Sequence, residues 1–190
     1  MFVATPLWAG APIAKIQSML VKPQVLCGRF DQSKLLTGFK KPMVSSGRFC
    51  VVADKGVLWR TLQPFPNTVR LTRDEIIHLQ KDRVAMRLTT KQEPTVRTIN
   101  GMLFGLLAGD LGEIEKLFEV DGSIRDNTWS VTLKAREPAL TRVISSVALE
   151  GGAYVKNITI NEAGGDRTSI VFSEIQMGDG AMNSDEAALF

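Results

Sequence analysis

Between Val25 and Glu75 apolar and polar residues alternate in short runs separated by turn residues. Consecutive antiparallel strands with one apolar face are written this way. Leu26, Gly28 and Phe30, then Phe49 and Val51, Val57 and Trp59, and Val69 and Leu71 mark the apolar sides of neighbouring runs. Strands are predicted near 24–34, 43–53, 57–62, 67–72, 75–80 and 84–89, punctuated by Gly38, Pro42, Gly56, Pro64 and Pro66. Ahead of them Ile13, Ile16, Met19 and Leu20 recur at helical spacing, which predicts an amphipathic helix over 11–21 lying on the sheet and ended by Pro23.

The period changes after the sixth run. Ile99, Met102, Leu103, Leu106 and Leu107 recur every three or four residues, so 94–108 predicts a helix, and 112–118 a second short one. Alternation resumes at 128–135, 143–149, 154–161 and 168–176, with Gly151-Gly152 and Gly164-Gly165-Asp166 in the turns. The fold class is therefore mainly β with α: a single strongly curved antiparallel sheet of about ten or eleven strands, with an N-terminal helix and central helices. Such a sheet curls because neighbouring strands rotate by roughly 20 to 25°. Something apolar must fill its inner face. The helices serve either as a plug in an ordinary core or as a lid over a cavity that a hydrophobic ligand enters. Gly101 and Gly105, each costing about 1 kcal/mol of helix stability relative to Ala, fit a segment that moves and equally a close helix-to-sheet contact.

Four ordered fragments carry a resemblance: Phe30-Asp31-Gln32-Ser33-Lys34, Ser46-Gly47-Arg48-Phe49, Gly56-Val57-Leu58-Trp59 and Gln63-Pro64. In this order they resemble the first half of the LolA-type outer-membrane lipoprotein carriers, and the resemblance spans about residues 13–176. It implies an open half-barrel closed by helices over a hydrophobic cleft in which the acyl chains of a lipoprotein bind. Trp59 matches the family's cleft-lining third-strand Trp. Phe30, Phe49, Val51 and Val57 match strand positions facing that cleft, with Leu26, Val69 and Leu71 on the same apolar sides, and Met102, Leu103, Leu106 and Leu107 match the lid. At each position an ordinary core residue is the competing reading. The resemblance further implies a periplasmic monomer with no cofactor, an acylated lipoprotein or other lipid cargo, an inner-membrane releasing transporter and an outer-membrane acceptor. The alternative is a periplasmic adaptor that senses lipidated proteins through the same cleft. One departure is clear: where well-known members have an Arg-Pro pair that latches the lid, this chain reads Ala53-Asp54-Lys55-Gly56. Lys55 is the only donor there to take the Arg's place.

At 190 residues, 44% of them hydrophobic, the chain is long enough to bury roughly 70% of its unfolded surface in one domain. That domain is expected over 12–177, with 1–11 as residual signal or flexible N-terminus and 178–190 as a flexible tail. The opening MFVATPLWAGAPIA has the apolar and small residues of a secretory signal but no preceding Lys or Arg. No run approaches the ~20 apolar residues needed to cross a bilayer as a helix. The formal net charge is +3, yet residues 1–97 hold 16 Lys and Arg against 6 Asp and Glu, and residues 98–190 hold 7 against 14. Basic residues are dispersed and only one Tyr is present, so nucleic acid is not an expected partner.

Candidate chemistry is sparse. The single histidine, His78 in EIIHLQ, has no nucleophile pattern beside it, and no His-Glu-x-x-His, Cys-x-x-Cys, Gly-x-Ser-x-Gly or phosphate loop occurs. Neither catalysis nor a metal is expected. The two cysteines are more informative. A hairpin centred near Gly38 and Phe39 pairs Leu26 with Val51, Gly28 with Phe49 and Cys27 with Cys50, which gathers the apolar residues on one face and sets the cysteines opposite each other on the other. At that separation an oxidising compartment allows a disulfide, the alternative being two separate small apolar residues.

Overall fold

The computed structural model describes residues 13–72, 74–80, 83–89, 105, 111 and 114–190. Eleven strands form one sheet: β1 (Val25–Leu35), β2 (Met43–Val52), β3 (Gly56–Gln63), β4 (Asn67–Leu71), β5 (Glu75–Gln80), β6 (Arg83–Thr89), β7 (Phe118–Arg125), β8 (Thr128–Ala135), β9 (Ile144–Gly151), β10 (Val155–Glu162) and β11 (Arg167–Met177). Every neighbouring pair is antiparallel, in the order β6-β5-β4-β3-β2-β1-β11-β10-β9-β8-β7. The sheet is open and curved, not closed into a barrel. Its two meanders, β1 to β6 and β7 to β11, meet where β1 pairs with β11, so the strands of the two halves form two separate flanks.

The described helices are short: α1 (Ile13–Met19), α2 (Ile114–Leu117), α3 (Pro138–Thr141) and α4 (Ser184–Ala187). Helix α1 ends at Met19, two residues before its apolar spacing predicted, and α3 and α4 were not anticipated. Ile13, Ile16 and Leu20 at the start of the chain and Leu111, Ile114 and Leu140 pack on one face of the sheet, the inner face. No helix of the described residues is long and apolar enough to cross a membrane. Residues 1–12 and all but Gly105 of the predicted 94–108 helix lie outside the described residues.

Two expectations are corrected. Strand β7 was not anticipated, because Asp121-Gly122 reads locally as a turn; tertiary pairing instead lays Gly122 opposite Val131, where a Cβ would stand 2.5 Å from the Ser130 carbonyl oxygen. Segment 178–190 is no loose tail. A 3₁₀ turn (Asp179–Ala181) and α4 dock on the outer face, where Ala181, Met182, Leu189 and Phe190 pack with Val25, Cys27, Cys50, Val52 and Leu58. Helix α4 is held by a capping box in which Asn183 Oδ1 accepts from the Glu186 N–H and the Glu186 carboxylate accepts from the Asn183 N–H.

Candidate functional site on the inner face of the sheet

Strand alternation sends residues 26, 28 and 30 of β1 to the same side as 47, 49 and 51 of β2. Pairing extends these positions into rungs across four strands, Leu26 to Val51 to Val57 to Leu71 and Gly28 to Phe49 to Trp59 to Val69. The structure therefore brings Leu26, Phe30, Phe49, Val51, Val57, Trp59, Val69 and Leu71 into one apolar surface, with Trp59 and Val69 partly exposed and the others buried. Met102, Leu103, Leu106 and Leu107 lie outside the described residues.

At the centre of that surface sits an aromatic cluster from four strands. The Phe30 and Trp59 rings stack at 3.9 Å between centroids, Phe49 meets Phe172 at 4.8 Å, and Trp59 stands edge-on to Phe172 at 6.0 Å. Glycines make the room. Phe30 lies opposite Gly47 and Phe49 opposite Gly28, and a Cβ on either glycine would meet the facing ring, at 2.9 and 3.0 Å. The same device recurs on the other flank, where the Trp129 ring covers Gly151 and its Nε1 donates to the Gly152 carbonyl at 2.8 Å. Phe172 and Trp129 were missed as site residues, although the alternations Thr168, Ile170, Phe172 and Trp129, Val131, Leu133 signal them.

Charge stays at the margin. Lys34 Nζ donates to Glu162 Oε1 at 2.8 Å and lies 3.8 Å from Asp166 Oδ2. The hydrogen bond to Glu162 holds the Lys34 ammonium above its ordinary pKa, and the Thr37 N–H, donating at 2.8 Å, holds the Asp166 carboxyl below its own. On the outer face Cys27 and Cys50, paired in register, are joined in a disulfide. Those two sulfurs and Glu186 form a group of possible metal-ligand atoms among the described residues, but a disulfide sulfur has no thiolate to offer a metal. His78 is bonded to the Asn67 side chain, with no nucleophile in the pairing around it.

A family model described as outer membrane lipoprotein carrier protein LolA matches residues 22–184. The chain belongs to the LolA family. No curated protein matches it. Among solved structures, a DUF1329 family protein from Desulfovibrio piger is 13% identical and covers 98% of this chain and 100% of its own, with a TM-score of 0.52. A chain of the Pseudomonas aeruginosa MucA/MucB complex is 12% identical and covers 95% of this chain and 61% of its own, with a TM-score of 0.53. A LolA superfamily protein from Nitrosomonas europaea is 9% identical over 90% of this chain and 95% of its own, with a TM-score of 0.48. At these identities the likeness concerns the fold. As a LolA family member the chain departs from the known latch: Ala53-Asp54-Lys55-Gly56 forms a tight turn with Lys55 exposed, Asp54 at φ 63° and Gly56 at φ 139°. A Cβ on Gly56 would stand 2.1 Å from the Leu71 carbonyl oxygen, so glycine is required there by both conformation and space.

Proposed function

We propose that this protein is a periplasmic carrier that takes the acyl chains of a lipoprotein, or a similar lipid, onto the inner face of its sheet and passes them between membranes. The observation that carries this reading is the uninterrupted apolar surface of a LolA family sheet, centred on Phe30, Phe49, Trp59 and Phe172. Burial is worth roughly 0.8 kcal/mol per CH₂, so a chain of ~14 to 16 carbons gains more than 10 kcal/mol by leaving water. Leu26, Val51, Val57, Val69 and Leu71 extend the surface along which such a chain would lie. Because α1 and α2 pack on the same face, cargo has to displace part of that packing, and the 94–108 segment with Met102, Leu103, Leu106 and Leu107 is the proposed lid. The family implies a releasing transporter in the inner membrane and an acceptor at the outer membrane. An adaptor role is the second reading, favoured by the shared fold of a chain solved in the MucA/MucB complex.

Titration of the purified protein with a dansylated fatty acid tests the carrier reading, read both as probe emission and as quenching of tryptophan. Wild type should bind in the micromolar range or tighter. Trp59→Asp should lose binding at least tenfold while keeping its circular dichroism spectrum, and Trp59→Phe should retain it. Absence of binding by wild type would sink the proposal, and unfolding of Trp59→Asp with unchanged binding by Trp59→Phe and Trp59→Ala would show that the ring fills a closed core.

A further inference from the structure

The two ends of this sheet differ in chemistry. Antiparallel alternation puts the β1–β2, β3–β4, β8–β9 and β10–β11 connections at one end and the β2–β3, β4–β5 and β7–β8 connections at the other. At the first end the hairpin tips present aromatic rings to solvent: Phe39 is 67% exposed and Phe65 is 81% exposed. Both sit in loops with no packing duty, since neither belongs to a described core cluster. Val44 and Pro64, from the same two hairpins, line one open groove of about 690 Å³, beyond which the β1–β2 hairpin projects further than the β3–β4 turn. Met43, at 56%, and Val44, at 66%, are exposed on opposite faces of β2 below the same hairpin tip.

The charge at that end is cationic. Lys40 and Lys41 follow Phe39 directly and are exposed, and Arg136, Arg142 and Arg167 stand exposed on the adjoining connections. The local carboxylates are largely occupied: Glu162 and Asp166 face Lys34, and Glu137 is the remaining acid of the β8–β9 connection. The opposite end carries Asp54, Asp74 and Asp126 in its turns against Lys55. The layout of the flanks adds to this. The span 25–89, which forms β1 to β6, contains 12 Lys and Arg against 5 Asp and Glu, and the span 118–177, which forms β7 to β11, contains 6 against 8. The exposed aromatic hairpins thus belong to the basic flank.

Solvent-facing aromatic rings beside lysines, on the cationic end of a molecule, match the interface of an anionic bilayer, where rings sit at headgroup depth and cations meet lipid phosphates. We propose that the end carrying the β1–β2 and β3–β4 hairpins docks on anionic phospholipid membranes, with Phe39 and Phe65 entering the interface and Lys40 and Lys41 contacting phosphate. Docking here needs no cargo and stands independently of the carrier reading.

Flotation of the full chain with phosphatidylethanolamine and phosphatidylglycerol vesicles (3:1), against pure phosphatidylcholine vesicles, tests it. Wild type should float with the anionic vesicles alone, and its partition should fall at least tenfold in Phe39→Ser/Phe65→Ser, in Lys40→Glu/Lys41→Glu and at raised salt. An environment-sensitive dye on Phe65→Cys should shift to the blue on vesicle addition, whereas the same dye on Asp126→Cys at the far end should not. No flotation of wild type, flotation unchanged in both double variants, or equal dye shifts at both ends would each overturn the proposal. All substituted positions are exposed, and circular dichroism confirms that the variants remain folded.

Discussion

Glycines facing aromatic rings determine how closely the inner face packs. Gly47 shows this best, because a Cβ there would stand 1.9 Å from the Arg60 carbonyl oxygen and 2.9 Å from Phe30 Cε1. The first of these is backbone and cannot move aside. Gly47→Ala should therefore cost about 2 to 3 kcal/mol through overpacking, or about 5 to 10 °C in Tm for a domain of this size. Gly164→Ala is the control, since nothing lies within 4 Å of the added carbon. Equal Tm values for the two variants would show that the glycine contact is unimportant. In the sequence these glycines look like breaks in an apolar alternation. Only the pairing of Phe30 with Gly47 and Phe49 with Gly28 shows them to be the complement of a ring.

At the level of the element, the β1–β2 hairpin was legible almost residue by residue. Its apolar positions, its turn near Gly38 and its two cysteines all demand one register, and a slip by one residue would turn Leu26, Phe30, Phe49 and Val51 to the other face. The disulfide joins residues 23 positions apart, and on loop entropy alone a closed loop of that size stabilises by about 3 kcal/mol. Cys27→Ala/Cys50→Ala should lower the denaturation free energy by that order, measured in urea, with the strand content unchanged. A difference below about 1 kcal/mol would mean that packing of the outer face carries the hairpin by itself. Strand β7 was illegible for the opposite reason. Its alternation of Phe118, Val120, Gly122 and Ile124 passes through Asp121-Gly122, a dipeptide that is a turn in isolation and a strand only when β8 supplies the partner carbonyls.

For the molecule as a whole, the sheet joins segments far apart in the chain, and both of its faces are covered from the chain's ends. The outer covering depends on Glu186, 1% exposed, whose carboxylate accepts from Arg48 Nε at 2.8 Å. Burial pushes the Glu186 carboxyl up, but the Arg48 hydrogen bond, the Asn183 N–H and the charges of Arg48 and Arg60 outweigh it and hold the group below the ordinary carboxylate range. A depressed acid stabilises the folded state above its unfolded pKa, about 4.3, and the contribution disappears as pH falls through the folded value. Wild type should therefore have a higher Tm than Glu186→Gln at pH 7, with the gap narrowing below about pH 4.3. A gap that stays constant from pH 7 to pH 3 would remove Glu186 from this role.

The sequence by itself determined the strand ladder apart from β7, the apolar side of the strands it showed, the hairpin register and the resemblance to the LolA family, because these depend on residues near one another or on a period of two. The tertiary structure alone decided that β1 pairs with β11, that Phe172 joins Phe30, Phe49 and Trp59, and that residues 178–190 cover the disulfide. It also decided that the strands of the more basic first half and those of the second half lie side by side as separate flanks. Local pattern tells each strand which side to bury, but contacts between segments more than a hundred residues apart are selected by how the whole sheet curls and by which surfaces remain to be covered once it has.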